Sequence, residues 1–238
     1  MNIYKSLFLG LVCSAGMHCT FAQTTVWNPD NQNGTFTNPI MWGDWPDPDL
    51  IRVDDKFYLV STSMHYVPGC PIAVSEDLVN WEMAGYALDR YDEDPKYDMQ
   101  GGNLYLNGAW ATTIRHHNGK FYVGFCTPYG WGRETGHFSI CIADDVKGPW
   151  ERTIFPEYLY DPGLFFDEDG KVYVVHGQGT LYLTELNSDV KSVKGKPVKI
   201  WQGGFKNAHE LGGGFGMEGS HMYLSLIHIS EPTRLGMI

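Results

Sequence analysis

The chain has 238 residues, 43% of them hydrophobic and 14% aromatic, enough to pack one large domain or two small ones. Its formal net charge of -11 argues against nucleic acid or an anionic membrane as partner, because a phosphate backbone would be repelled, and leaves a neutral ligand such as a carbohydrate compatible. With 28 Gly and 13 Pro, short strands joined by many turns are expected in place of long helices.

The first residues read as an export signal. Lys5 supplies the positive start, Leu7 to Val12 begins an apolar run, and Thr20-Phe21-Ala22 offers small residues where a signal peptidase inspects the chain. The prediction is a signal over 1–22, cleaved after Ala22, and an exported, periplasmic or extracellular protein. The run is too short for a membrane span. A lipid anchor on Cys13 or Cys19 is disfavoured, since Val12 and His18 suit that processing poorly. Residues 23–37 read as an N-terminal linker. Beyond the signal, Cys70, Cys126 and Cys141 are odd in number and lack metal-type spacing. Cys126 and Cys141 lie in the apolar runs YVGFC and SICIA, which suits small buried hydrophobes better than a disulfide or a nucleophile. Cys70, in a Pro-Gly-Cys-Pro turn, is expected nearer the surface.

A repeat follows. Lys56-Phe57-Tyr58, Lys120-Phe121-Tyr122 and Lys171-Val172-Tyr173 each come after a turn signal, Asp54-Asp55, Asn118-Gly119 or Asp169-Gly170. Asn-Gly and Asp-Gly favour two-residue hairpin turns, whose central residues need positive φ. Each turn is preceded by a short apolar run: Leu50-Ile51, Thr113-Ile114 or Leu164-Phe165-Phe166. Further along each unit a strand leads into Ser75-Glu76-Asp77-Leu78, Ala143-Asp144-Asp145-Val146 or the weaker Asn187-Ser188-Asp189-Val190. A unit is therefore about four short strands in a period of roughly 50–60 residues, like one propeller blade. The expected fold is an all-β propeller, with unit starts at Asp47, Trp110, Asp161 and Glu218.

In a propeller the first strand of each blade lies beside the central channel, so these unit starts line one funnel. Three of them carry carboxylates, and converging carboxylates are what glycosidic-bond hydrolysis needs. Pro48 and Pro162 are expected to push Asp47 and Asp161 into extended geometry. Gly163 and Gly219 would leave bare backbone for close approach of a ligand. His116-His117 are expected in an exposed loop and not as metal ligands.

The ordered motifs resemble glycoside hydrolase family 43, the five-bladed propellers that include β-xylosidases and α-L-arabinofuranosidases. They are Asn38-Pro39-Ile40, Asp44-Trp45-Pro46-Asp47-Pro48-Asp49, Gly108-Ala109-Trp110-Ala111, Tyr160-Asp161-Pro162-Gly163-Leu164-Phe165-Phe166-Asp167 and Glu218-Gly219-Ser220-His221. The likeness runs from Asn38 to Tyr223, about three blades and the start of a fourth, and looks closest to the branch in which a β-sandwich follows the propeller. It implies that Asp47 is the general base, Glu218 the general acid, and Asp161 the helper that holds Glu218 and raises its pKa by like-charge repulsion. It implies inversion, with base and acid roughly 6.5–9.5 Å apart. Trp110 would be an aromatic wall for a sugar or a core Trp, and His221 would touch substrate or buttress the acid. No cofactor is required, no metal ligands are assigned, and a channel calcium is not derivable from the residues. Thr112 and Ser220 stand where the family often has Pro, which removes no catalytic group.

The resemblance stops after Tyr223. Leu224-Ser225-Leu226-Ile227-His228-Ile229-Ser230-Glu231-Pro232-Thr233-Arg234 looks like the translation of a sequencing-library adapter. Residues 224–238 therefore read as a non-native tail, 38–223 as part of a propeller catalytic domain, and the natural protein is expected to continue. The expected function is exo-release of xylose or arabinose from plant cell-wall oligosaccharides. An endo-arabinanase of the same family and a non-catalytic sugar-binding propeller are the alternatives.

Overall fold

The computed structural model describes residues 27–130, 135–202 and 217–224. The expected signal, Cys13, Cys19 and the tail beyond Leu224 lie outside the described residues. Among the described residues, twelve strands form three antiparallel four-stranded meanders. The first holds β1 (Asp49–Val53), β2 (Lys56–Val60), β3 (Gly69–Ser75) and β4 (Glu82–Leu88). The second holds β5 (Trp110–His117), β6 (Lys120–Pro128), β7 (Gly136–Ala143) and β8 (Glu151–Phe155). The third holds β9 (Gly163–Phe166), β10 (Val172–His176), β11 (Thr180–Leu186) and β12 (Val198–Gln202). First strands pack on first strands, β1 on β5 and β5 on β9. These are three consecutive propeller blades, as the repeat predicts.

Two apolar layers hold the blades face to face. Val60, Ile72, Leu88, Ile114, Val123 and Phe125 fill the space between the first and second. Phe138, Ile140, Phe155, Leu164, Val174 and Leu186 fill that between the second and third. Phe125, Phe138 and Phe155 are fully buried, each contributing up to about 3 kcal/mol of transfer free energy. The middle blade is covered on both faces, so β6 is almost continuously buried and lacks the alternation of a half-exposed strand.

Cys126 and Cys141 are buried free thiols, and burial pushes both up to about 12, which leaves them inert at neutral pH. Cys70 corrects the expectation of a surface position: it is fully buried inside the first layer, its N–H donating to Ser63 Oγ at 2.8 Å. The turn lies just before it, at Val67-Pro68, and β3 has already begun at Gly69.

Two turns behave differently from one another. Asn118 and Gly119 both take positive φ in a two-residue connection, as expected. Asp169-Gly170 does not form such a turn. Asp167 N–H donates to Lys171 O and Gly170 N–H to Asp167 O, which closes a three-residue loop with Gly170 at φ 81. His116 and His117 end strand β5 and are not in a loop; His116 meets Phe121 at a tilt and His117 stacks on Phe166.

The longer third hairpin hides the true register in the sequence. Ile51 faces Tyr58, Arg115 faces Tyr122 and Phe165 faces Tyr173. Counting back equally from these pairs, Asp47 and Asp161 align with Ala111, and Trp110 aligns with Pro46 and Tyr160. Trp110 is therefore one residue out of the expected register. The extra loop residue in the third hairpin makes the spacing from Asp161 to Tyr173 equal that from Trp110 to Tyr122, which produces the apparent match.

His176, at the end of β10, is buried with Nε2 2.8 Å from Thr184 Oγ1, and burial alone pulls its pKa down to about 4. Because the unfolded ring titrates near 6.5, the stability of the neutral folded form is complete above that pH. It is lost as pH falls through the window from 6.5 to 4, by up to about 3 kcal/mol. Urea unfolding at pH 7 and pH 4.5 should show this loss, and His176→Gln should flatten it. An unchanged slope in the variant would assign the acid sensitivity to other groups.

Candidate active site

Asp47, Trp110 and Asp161 stand where the first strands of the three blades begin, while Glu218 and His221 lie in the described segment 217–224, which holds no strand. Asp47, Ala111 and Asp161 share a left-handed backbone, with φ of 45, 46 and 50. This corrects the expectation of extended geometry before Pro48 and Pro162: those prolines keep both aspartates out of the right-handed region, but the node itself is left-handed. Non-glycine residues adopt it rarely, Asp more readily than most, and such positions cluster at functional sites. Gly219 takes φ 64 immediately after Glu218, as Ala111 follows Trp110. Blades one and three thus place a carboxylate on the node, while Trp110 and Glu218 directly precede one.

Asp47 is exposed and oriented from beside it. Thr62 Oγ1 donates to Asp47 Oδ2 at 2.8 Å and accepts from Ala111 N–H at 2.8 Å. One hydroxyl thereby ties the first node to the second. Asp161 is 9% exposed, next to Tyr160. Cys126 lies beneath it, accepting from the Asp161 backbone and reaching Trp110 O at 3.7 Å. Trp110 is half-buried, its indole N–H held by Leu106 O at 2.8 Å, and belongs to neither apolar layer.

Glu218 is brought to the third blade by three contacts. Gln178 Nε2 donates to Oε2 at 2.7 Å, the Tyr160 hydroxyl donates to the same oxygen at 3.2 Å, and Gly179 N–H donates to Met217 O at 2.9 Å. Gly163 explains how the segment fits. A Cβ there would stand 2.2 Å from Ser220 O and 2.9 Å from Val175 Cγ1. The glycine therefore admits the chain's own backbone and not a ligand, which corrects that expectation. Gly219 meets nothing within 4 Å and is needed for its φ alone.

Beneath the carboxylates lies a polar hub. Asp49, 3% exposed, accepts from Thr113 Oγ1 at 2.9 Å, Ile114 N–H at 2.9 Å and Arg115 Nη1 at 2.6 Å. Thr113 Oγ1 in turn accepts from Leu164 N–H at 3.3 Å. His221 Nδ1 sits 3.6 Å from Asp49 and 3.3 Å from Arg115 Nη2. All three blades and the Glu218 segment meet here, two residues beyond Asp47 and three beyond Glu218. Burial draws His221 down from its usual pKa, Asp49 opposing and Arg115 reinforcing the shift. The Arg115 guanidinium contacts both Asp49 and His221 and supplies the positive charge at this hub. Among the described residues no group of three His, Cys, Asp or Glu converges as a metal site would require.

Thr62, Asp49, Thr113, Arg115, Tyr160 and Gln178 were not singled out from the sequence as site residues. Asp49 carried one usable signal: it shares strand parity with Ile51 and Val53, which pack against the core, so a buried and paired charge was legible there. Gln178, between Gly177 and Gly179, carried none.

Paired carboxylates are the residue type that glycosidic-bond hydrolysis requires. The sequence profile of Glycosyl hydrolases family 43 matches residues 36–225, and the chain belongs to that family. It is 36% identical to a xylosidase/arabinosidase of Butyrivibrio fibrisolvens, over 78% of this chain and 36% of that protein. It is 36% identical to a non-reducing end alpha-L-arabinofuranosidase of Bacteroides ovatus, over 79% of this chain and 34% of that one. Among solved structures, a bifunctional GH43-CE protein of Bacteroides eggerthii superposes with a TM-score of 0.69 at 36% identity, covering 79% of this chain and 24% of that one. The chain thus spans about a third or less of the length of these proteins. Among the described residues no helix is long and apolar enough to cross a membrane.

Proposed function

We propose that these residues form the catalytic centre of an inverting exo-glycosidase that releases xylose or arabinose from plant cell-wall oligosaccharides. The observation that carries this reading is the shared left-handed node of Asp47 and Asp161, with Glu218 drawn to the same end by Tyr160 and Gln178. Asp47, exposed and oriented by Thr62, takes a proton from water as the water oxygen bonds to the anomeric carbon. Glu218 gives its proton to the departing glycosidic oxygen as the old bond breaks. Asp161, buried beside Tyr160, keeps negative charge near the acid. Trp110, outside both apolar layers, walls the sugar; His221, in contact with Asp49 and Arg115, buttresses the acid segment. The names of the relatives support xylosidase and arabinofuranosidase substrates. Lys5 and the apolar run after it support export to the periplasm or beyond.

Proton NMR of the first turnovers tests the reaction class. Hydrolysis of a β-xyloside should release α-xylose before mutarotation, because water enters opposite the leaving group. First appearance of β-xylose would overturn the assignment of Asp47 as base, since retention requires a carboxylate nucleophile.

A further inference from the structure

We propose that Gln178, with Tyr160, determines which oxygen of Glu218 carries the proton delivered to the leaving group. The inference rests on Glu218 being the general acid and goes beyond it by adding a positioning residue. A carboxyl oxygen has two lone pairs. Oε2 receives one hydrogen from Gln178 at 2.7 Å and one from Tyr160 at 3.2 Å, so both pairs are used. The transferable proton therefore sits on Oε1. During the reaction the Oε1–H bond breaks, the proton bonds to the glycosidic oxygen as its bond to the anomeric carbon breaks, and the charge left on Glu218 is received at Oε2 by the same two donors. They favour the ionised carboxylate, so their help grows along the reaction coordinate, as a transition-state contact should.

The backbone holds Gln178 in place for this task. Gly177 N–H donates to Tyr160 O at 2.7 Å, and Gly179 N–H donates to Met217 O at 2.9 Å. One tight turn between β10 and β11 thus grips the residue carrying the second donor and the residue before the acid. Gly177, at φ 113, has no room for a side chain: an added Cβ would lie 2.3 Å from Thr180 O. Gly179 takes φ 67. The Gln178 side chain between them reaches Glu218.

The test uses the full-length enzyme with Gln178→Met, which keeps the length and loses both donors, and Tyr160→Phe. Each is assayed on the pentose-bearing oligosaccharide the enzyme cleaves and on the matching 2,4-dinitrophenyl glycoside, whose leaving group needs little protonation. Gln178→Met should lower kcat on the oligosaccharide by about tenfold or more, part of the ~10²–10⁴ that general acid catalysis supplies. The activated glycoside should change by less than about threefold, KM should hold, and the basic limb of the pH profile should move to higher pH because a donor favouring the ionised form is gone. Tyr160→Phe should show the same pattern more weakly. Equal losses on both substrates, or no loss on either, would overturn the proposal. If Glu218→Ala itself keeps full activity on the oligosaccharide, the acid assignment fails instead, so the two failures are distinguishable.

Discussion

Asp47→Ala in the full-length enzyme should lower kcat by about a thousandfold or more on every substrate, whatever the leaving group. A general base acts on the attacking water, and that water is needed equally for a good or a poor leaving group; positioned proton transfer of this kind supplies ~10²–10⁴. Glu218→Ala should lose a similar factor on an unactivated oligosaccharide and much less on an aryl glycoside, because a stabilised phenolate departs without a proton. Thr62→Val should fall between, since the Thr62 hydroxyl at 2.8 Å orients Asp47 without touching substrate. Steady-state assays on both substrate types, with unchanged melting curves, check the pattern. Full activity in Asp47→Ala would end the assignment.

The second large effect is structural. Asp49→Ala should destabilise the fold by about 3–5 kcal/mol, because it leaves the Arg115 guanidinium buried without its partner. The two side chains are only 2% and 11% exposed, so water cannot take over the lost contacts. An exposed ion pair would cost ~0–1 kcal/mol. Asp49 also accepts from Ile114 N–H and from Thr113, whose hydroxyl accepts from Leu164 N–H, so the loss should loosen the three inner strands against each other. The double variant Asp49→Leu with Arg115→Met should recover much of the stability, since no charge then remains buried. Urea unfolding at fixed pH measures all three. A cost of Asp49→Ala below about 1 kcal/mol would show that the hub is solvated and not part of the core.

Much of the blade order was readable without a structure. The Lys-apolar-Tyr runs, the turn signals before them and the apolar runs before those report local preferences, and each became a hairpin of the expected blade. What misled was spacing. The third hairpin spends one more residue in its loop than the other two. That residue lengthens the chain without altering structural position, so counting residues aligned Trp110 with the aspartates when Ala111 is the counterpart. Cys70 was misplaced for a related reason: a Pro-Gly signal marks a turn but not the residue at which the next strand begins.

Composition and pattern alone determined that the chain is all-β, that its units repeat, and that Asp47 and Asp161 open two of them. These depend on propensities and on identities that neighbours in sequence already express. Tertiary structure decided the left-handed nodes, the hub of Asp49, Arg115 and His221, the clamp of Gln178 and Tyr160 on Glu218, and the need for Gly163. Each is a contact between residues far apart in the chain, made only when blades lie side by side. Nothing in a local run of residues records that Ser220 O will stand where a Cβ on residue 163 would have been.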